Sequence, residues 1–284
     1  MKALLIYIFT FFLTFSSFAQ SKKAYEIFTA AGKKTKFSKV IKQAIEKEVL
    51  LFGELHNNPI AHWLEFELVK ELSSKRKLIL GAEMFETDQQ EQLNLYLKDS
   101  INQETLTQNI KLWSNYNTDY KPLVDFSKVK KIPFIATNVP QIYASLTYKE
   151  GFKPLETLVP EEQKYIAPQP IVFNAELPQY KKILTEMGEH GTPELVKAQA
   201  IKDATMAYFI QKNRKDDALF IHINGAYHSD FKEGIHWYLK QTNANLNTLT
   251  ISTVEQDSIE QLNAENINKA DFIICIPSSM TKTY

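Results

Sequence analysis

Four short apolar runs, none of which alternates, constrain this chain more than any other feature: Val49-Leu50-Leu51-Phe52, Leu78-Ile79-Leu80, Phe134-Ile135-Ala136 and Leu219-Phe220-Ile221-His222-Ile223. A strand with one face in water alternates apolar and polar residues, whereas a strand covered on both faces reads as an unbroken apolar run. Sequence with helical character follows each run, over Pro59 to Leu72, Asp88 to Leu97, Pro140 to Thr147 and Ser229 to Gln241. Asn58 before Pro59 is a well-marked helix start, a side-chain cap followed by a residue that needs no amide partner. Strand, loop and helix in repetition predict an α/β fold with a mostly parallel central sheet and helices on both faces. Before the first run, Ala24 to Phe37 reads as a hairpin or an extended entry, and Phe37 to Glu46 as a helix with an apolar stripe of Val40, Ile41, Ala44 and Ile45. Two more strands are predicted at Thr248 to Thr253 and Phe272 to Ile276. The alternation breaks over residues of about 160–215, where a helix from Pro193 to Gln211 is capped by Thr192. This reads as a helical insertion that either covers the carboxyl ends of the strands or forms a longer crossover on the sheet.

The 284 residues suit one domain over 20–284 after a leader over 1–19. Lys2, the apolar stretch Ala3 to Phe15 and the small-residue site ending at Ala19 have the layout of a cleavable signal peptide, which predicts a periplasmic or secreted protein. No cysteine follows that site to carry a lipid. Balanced charge, 33 basic against 33 acidic residues, lacks the basic footprint of nucleic-acid binding. The single cysteine, Cys275, excludes an internal disulfide and reads as a buried thiol between Ile274 and Ile276.

The chemistry sits just past the apolar runs. They lead into Gly53-Glu54-Leu55-His56, Gly81-Ala82-Glu83, Thr137-Asn138 and Asn224-Gly225-Ala226-Tyr227-His228. Ligands of open parallel sheets bind beyond the carboxyl ends of the strands, so two carboxylates, two imidazoles and an amide are predicted to converge there. Glu54 and His56, two apart, share a face if the strand persists through them. Glu54, His56, Glu83 and His228 could form the first shell of a divalent metal, or act without metal as base, acid and orienting carboxylate on a water molecule. No nucleophile elbow, phosphate loop or dinucleotide fingerprint is present.

Gly53-Glu54-Leu55-His56-Asn57-Asn58-Pro59 with His62 resembles the opening motif of the ChaN-like haem-binding proteins. The resemblance continues through Glu83-Met84-Phe85 with Asp88-Gln89-Gln90, Trp113 with Tyr120, Asn138-Val139-Pro140, Gln199 with Asp203 and Met206-Ala207, and Gly225-Ala226-Tyr227-His228-Ser229 with Gly234. It covers Tyr25 to Leu239. Two positions where that pattern carries arginine are Thr87 and Gln141 here. The wider superfamily, with the Tiki and TraB proteins and the erythromycin esterases, is similar in a Gly-Glu-x-His motif, a downstream Glu and a later Gly-x-x-His. The resemblance implies that Glu54, His56, Glu83 and His228 occupy the superfamily's site. It also implies haem held by tyrosine at a homodimer interface, iron acquisition together with an outer-membrane receptor, or hydrolysis of a peptide or ester.

The remaining candidates are cofactor-binding positions. Tyr227, beside His228, is the first choice of haem ligand, with Tyr116 and Tyr120 behind it. Asn138 stands at a strand end. His62 is placed either near the pocket or as a packing histidine. Gln199, Asp203 and Met206 share a helical face that points either into the crevice or to solvent. His222 reads as a core histidine, and His190 and His236 as ordinary loop and helix residues. Two functions of different class follow: an exported haem- or iron-binding protein, and a hydrolase acting through the four-residue cluster.

Overall fold

The computed structural model describes residues 22–186, 188 and 191–284. The leader read over 1–19, and His190, lie outside the described residues. Eight strands form one sheet: β1 (Glu26–Thr29), β2 (Lys34–Thr35), β3 (Val49–Glu54), β4 (Lys77–Glu86), β5 (Phe134–Asn138), β6 (Ala218–Gly225), β7 (Thr248–Gln256) and β8 (Phe272–Pro277). Their order is β2-β1-β8-β7-β3-β6-β4-β5. The six strands from β8 to β5 run parallel, and the β1–β2 hairpin closes one edge antiparallel to β8. The four apolar runs are β3, β4, β5 and β6, and the two later predictions are β7 and β8.

Both faces are covered, which is why the runs do not alternate. On one face Leu50, Phe52, Leu80, Ile221 and Ile251 pack against the helices Pro59–Ser73 and Lys121–Lys130 through Leu64, Leu68, Leu123 and Val124. On the other, Val49, Leu51, Ile79 and Phe220 pack against the helices Pro193–Asn213 and Ile235–Thr242 through Met206, Ala207, Ile210 and Leu239. The insertion therefore covers a sheet face through its long helix, and the first half of that helix reaches the strand ends. Asn58 caps Pro59–Ser73 as read: its Oδ1 accepts from Ile60 N at 3.0 Å and Ala61 N at 3.2 Å.

Two boundaries move. β4 does not stop at Glu83 but continues to Glu86, with a register shift against β5 between Ala82 and Glu86. The helix read from Ser229 begins only at Ile235. Phe231, Lys232 and Gly234 before it have φ of 57°, 61° and 51°, and no helix runs through left-handed backbone. Among the described residues, no helix is long and apolar enough to cross a membrane.

Candidate functional site

β6 lies between β3 and β4, so Gly225 at its end is flanked by Glu54 on one side and Glu83 on the other. Glu54 follows Leu50 and Phe52 in parity and faces the helix Pro59–Ser73. Glu83 follows Ile79 and faces the helix Pro193–Asn213. The two carboxylates thus belong to opposite faces of the sheet, and the site closes over the backbone of Gly225.

β3 ends at Glu54, and His56 lies in the turn beyond it rather than on the strand. Its Nδ1–H donates to Glu54 Oε1 at 2.7 Å, and the Tyr120 hydroxyl donates to the same oxygen at 2.7 Å. Trp113 packs edge-on against the ring. The side chain of His56 is 33% exposed, against 0% for Glu54, 6% for Glu83 and 7% for His228, so His56 is the member a solute reaches. Burial would push the Glu54 carboxyl up; the bond from His56 and the neighbouring His62 imidazole outweigh it and hold that group well below the usual carboxylate range. Burial likewise depresses His56, and the bond to Glu54 and the charge of Glu83 more than reverse it, leaving the imidazole above its usual value.

On the other face, Glu83 Oε2 accepts from Gly225 N at 2.7 Å, and its Oε1 lies 3.2 Å from His228 Nε2. His228 Nδ1–H donates to Asp203 Oδ1 at 2.5 Å, and Asp203 Oδ2 accepts from the Tyr180 hydroxyl at 2.8 Å. The amide of Gln199 lies against the same ring, 2.9 Å from Nδ1. Burial pulls His228 down, but the charges of Glu83 and Asp203 outweigh it and hold the imidazole up at about 10. For Glu83, burial is outweighed by the charges of His228 and His56, which keep it ionised well below the usual range. Along the site the carboxyl groups of Glu54, Glu83 and Asp203 alternate with the imidazoles of His56 and His228, and burial pushes the Asp203 carboxyl up against the pull of His228. The register shift beside Glu83 is the kind of irregularity that re-aims a side chain next to a site.

The seat of the His56 ring over β6 depends on a glycine beneath it. A Cβ at Gly225 would stand 2.6 Å from His56 Nε2 and 2.8 Å from its Cε1. Gly234, at φ +51°, would put a Cβ 2.4 Å from the His228 carbonyl oxygen, so it fixes the turn that presents His228.

Glu54, His56, Glu83 and His228 come together, and Gln199 and Asp203 join them from the long helix. His62 is buried beneath Glu54, with Nδ1 3.1 Å from Glu54 Oε2. The other cofactor-binding candidates separate. Met206 and Tyr116 lie in the two hydrophobic cores, Tyr116 edge-on to Phe85, because their helix and turn turn those side chains inward. Tyr120 is buried and engaged by Glu54. Asn138 ends β5, two strands from Gly225. Tyr227 alone among the three tyrosines reaches solvent, at 45% exposure, and its hydroxyl donates to Glu186. His222 is a core histidine: Nδ1–H donates to Asn224 Oδ1 at 3.0 Å, Nε2 accepts from the Thr137 hydroxyl at 2.7 Å, and burial lowers it to about 4. His236 lies on the helix Ile235–Thr242, buried between Lys232 O and the Thr248 hydroxyl. Cys275 is buried. Glu65, Asn115, Asp119 and Tyr180 also belong to the surroundings of the site, and none stood out in the sequence. Of these, Glu65 alone carried a signal, an acidic residue three after His62 on an otherwise apolar helix face. A groove of about 850 Å³ lies at the opposite ends of the strands among Lys70, Arg76, Lys77 and Lys130.

A family model described as haem-binding uptake, Tiki superfamily, ChaN matches residues 40–239. The protein RETICULATA-RELATED 5, chloroplastic, of Arabidopsis thaliana is 25% identical over 222 residues, which are 71% of this chain but only 30% of that relative's length. Among solved structures, ChaN of Campylobacter jejuni, described with cofacial haem, superposes with a TM-score of 0.66 at 17% identity, covering 88% of this chain and 96% of that one. A mutant erythromycin esterase, EreC, in its open conformation reaches 0.53 at 11% identity over 91% and 98% of the two chains. At such identities the superpositions establish a shared α/β fold.

Proposed function

The chain belongs to the ChaN family of haem-binding uptake proteins in the Tiki superfamily, and from that premise we propose that it is an exported haem-binding protein of an iron-acquisition system, with Tyr227 as the haem ligand. The observation that carries this reading is the placement of Tyr227. It is the one candidate tyrosine whose side chain reaches solvent, and it stands one residue from His228 in the turn Ala226–His228. Ferric haem accepts a tyrosinate oxygen and is a large apolar disc with two carboxylates. The phenol oxygen is held by Glu186, a carboxylate able to take its proton when the phenol gives it up. Burial and that same carboxylate hold the free phenol at about 12, so at neutral pH it stays protonated until a cation competes for its oxygen. Lys182 Nζ lies 5.6 Å from the centre of the Tyr227 ring and offers a cation to a propionate. A ligand on an exposed turn covers one face of a disc only, so a second copy of the chain is proposed to cover the other. Export by the leader at 1–19 and delivery by an outer-membrane receptor complete the reading.

Titration of the purified protein with haemin is expected to give a saturable Soret band together with a doubling of mass in gel filtration. Tyr227→Phe is expected to weaken it about tenfold or more. An unchanged titration in Tyr227→Phe overturns the ligand assignment, and the absence of a band at stoichiometric haemin overturns the function.

The partly exposed His56, held by a fully buried carboxylate and facing a second ion pair, favours one other reading. As an imidazolium His56 can donate a proton to a leaving group, and once neutral its Nε2 can take one from water. A hydrolase of esters or peptides built on this cluster would lose turnover in His56→Ala.

A further inference from the structure

Under His56, three buried polar atoms are left without a hydrogen-bond partner: Glu54 Oε2, His62 Nδ1 and Glu65 Oε1. His62 and Glu65 lie one turn apart on the helix Pro59–Ser73, and Glu54 reaches them from the end of β3. His62 Nδ1 is 3.1 Å from Glu54 Oε2 and 3.7 Å from Glu65 Oε2, and one ligating atom from each residue falls within 4.8 Å of the other two. Metal bonds of about 2.1 Å in a tetrahedron set neighbouring ligand atoms about 3.4 Å apart, so this spacing already fits one small cation.

The surroundings fix which nitrogen faces inward. His62 Nε2–H points at the His56 carbonyl oxygen, 3.1 Å away, with Asp119 Oδ2 at 3.4 Å. Asn115 Nδ2 donates to both of those acceptors, at 2.9 and 2.7 Å, and holds them in place. With Nε2–H engaged on the outer side, the ring turns Nδ1 toward two carboxylates, which outweigh burial and hold the imidazole up at about 11. Two carboxylates in a dry pocket require a compensating positive charge, supplied by a proton on His62 or by a cation in its place. No lysine or arginine pairs with Glu54 or Glu65 among the described residues. The outer contacts are those of a metal site. The far nitrogen of the histidine donates to a carbonyl and a carboxylate, and the far oxygen of Glu54 accepts from His56 and Tyr120.

We propose that Glu54, His62 and Glu65 hold one divalent cation of the zinc or manganese class, as a structural site inside the sheet–helix joint beneath His56. One imidazole and two carboxylates suit these borderline ions. The site is distinct from the Glu54, His56, Glu83, His228 set read from the sequence, sharing only Glu54. It is closed to solvent, so the cation enters as the chain folds. It does not depend on haem binding at Tyr227, and either can fail without the other.

The full chain is unfolded in denaturant with EDTA, desalted, and refolded with Zn²⁺, with Mn²⁺, or with neither; metal content and melting temperature are then read. One equivalent retained through a second desalting, with a raised melting temperature, is expected. Glu65→Gln is expected to bind about tenfold more weakly or worse, whereas Glu83→Gln and His228→Gln, on the other face of the sheet, retain the ion. Loading with Co²⁺ covers the case in which Glu65→Gln does not refold. Hyperfine-shifted proton signals from a single imidazole identify His62, whereas two imidazoles identify His56 and His228 and overturn the assignment. No retained metal and no change in melting temperature mean that a shared proton supplies the charge, and likewise overturn it.

Discussion

Replacing Asp203 by alanine is expected to destabilise the protein by about 3–5 kcal/mol, the range found when one partner of a buried charged pair is removed. Asp203 is fully buried and accepts two hydrogen bonds, from His228 Nδ1 at 2.5 Å and from Tyr180 at 2.8 Å. Its removal leaves a buried imidazolium with Glu83 as its one carboxylate and strands the hydroxyl of a fully buried tyrosine. Asp203→Asn keeps the shape and an acceptor for Tyr180, so about half of the loss is expected to return. Tyr180→Phe, which removes a neutral donor, is expected to cost only about 1 kcal/mol. Urea midpoints at pH 7, with slopes unchanged, measure all three. A loss below about 1 kcal/mol for Asp203→Ala would show that the His228–Glu83 pair needs no third member. The same variant reads out position as well as stability. His228 owes its elevated pKa partly to Asp203, so an NMR titration of the Asn variant should find it lower than in the parent chain.

The ease with which Asp203 joins the site shows what a linear sequence can and cannot carry. Apolar runs without alternation report strands covered on both faces, and β3, β4, β5 and β6 fall where those runs lie. Strand-end chemistry in an open parallel sheet then has one place to go, which is why Glu54, His56, Glu83 and His228 could be read as neighbours. Periodicity also put Gln199, Asp203 and Met206 on one helical face. It could not say that the face splits, the first two turned to His228 and Met206 into the core, because that depends on where along the sheet the helix lies. Tyr116 and Tyr120 were indistinguishable as letters; one is buried against Phe85 and the other bonds Glu54. The late start of the helix at Ile235 was hidden because Phe231 and Lys232, both non-glycine residues, take positive φ. Tyr180 and Asp119 carry no local mark, since their roles arise from partners 23 and 57 positions away.

Gly225→Ala separates the architecture of the site from its chemistry. Gly225 has φ −57° and ψ 141°, which alanine adopts freely, so the backbone gives no reason for glycine at this position. The obstacle is His56, whose Nε2 and Cε1 would lie 2.6 and 2.8 Å from the new methyl. These atoms are the far end of a partly exposed side chain that can swing outward. The variant is therefore expected to fold with a stability within about 1 kcal/mol of the parent, while the ring leaves Glu54. Two readouts follow from that displacement. The NMR titration of His56, raised in the parent by its bond to Glu54 and the charge of Glu83, should move down toward the ordinary imidazole value. Any ester or peptide turnover should fall about a hundredfold or more, the usual effect of misplacing a catalytic group by about 1 Å. Haemin binding at Tyr227, two residues on and facing outward, should survive. A variant that keeps the parent His56 titration would mean that the imidazole does not sit over Gly225. One that loses haemin binding together with the His56 shift would mean that the cluster and the tyrosine act as a single site.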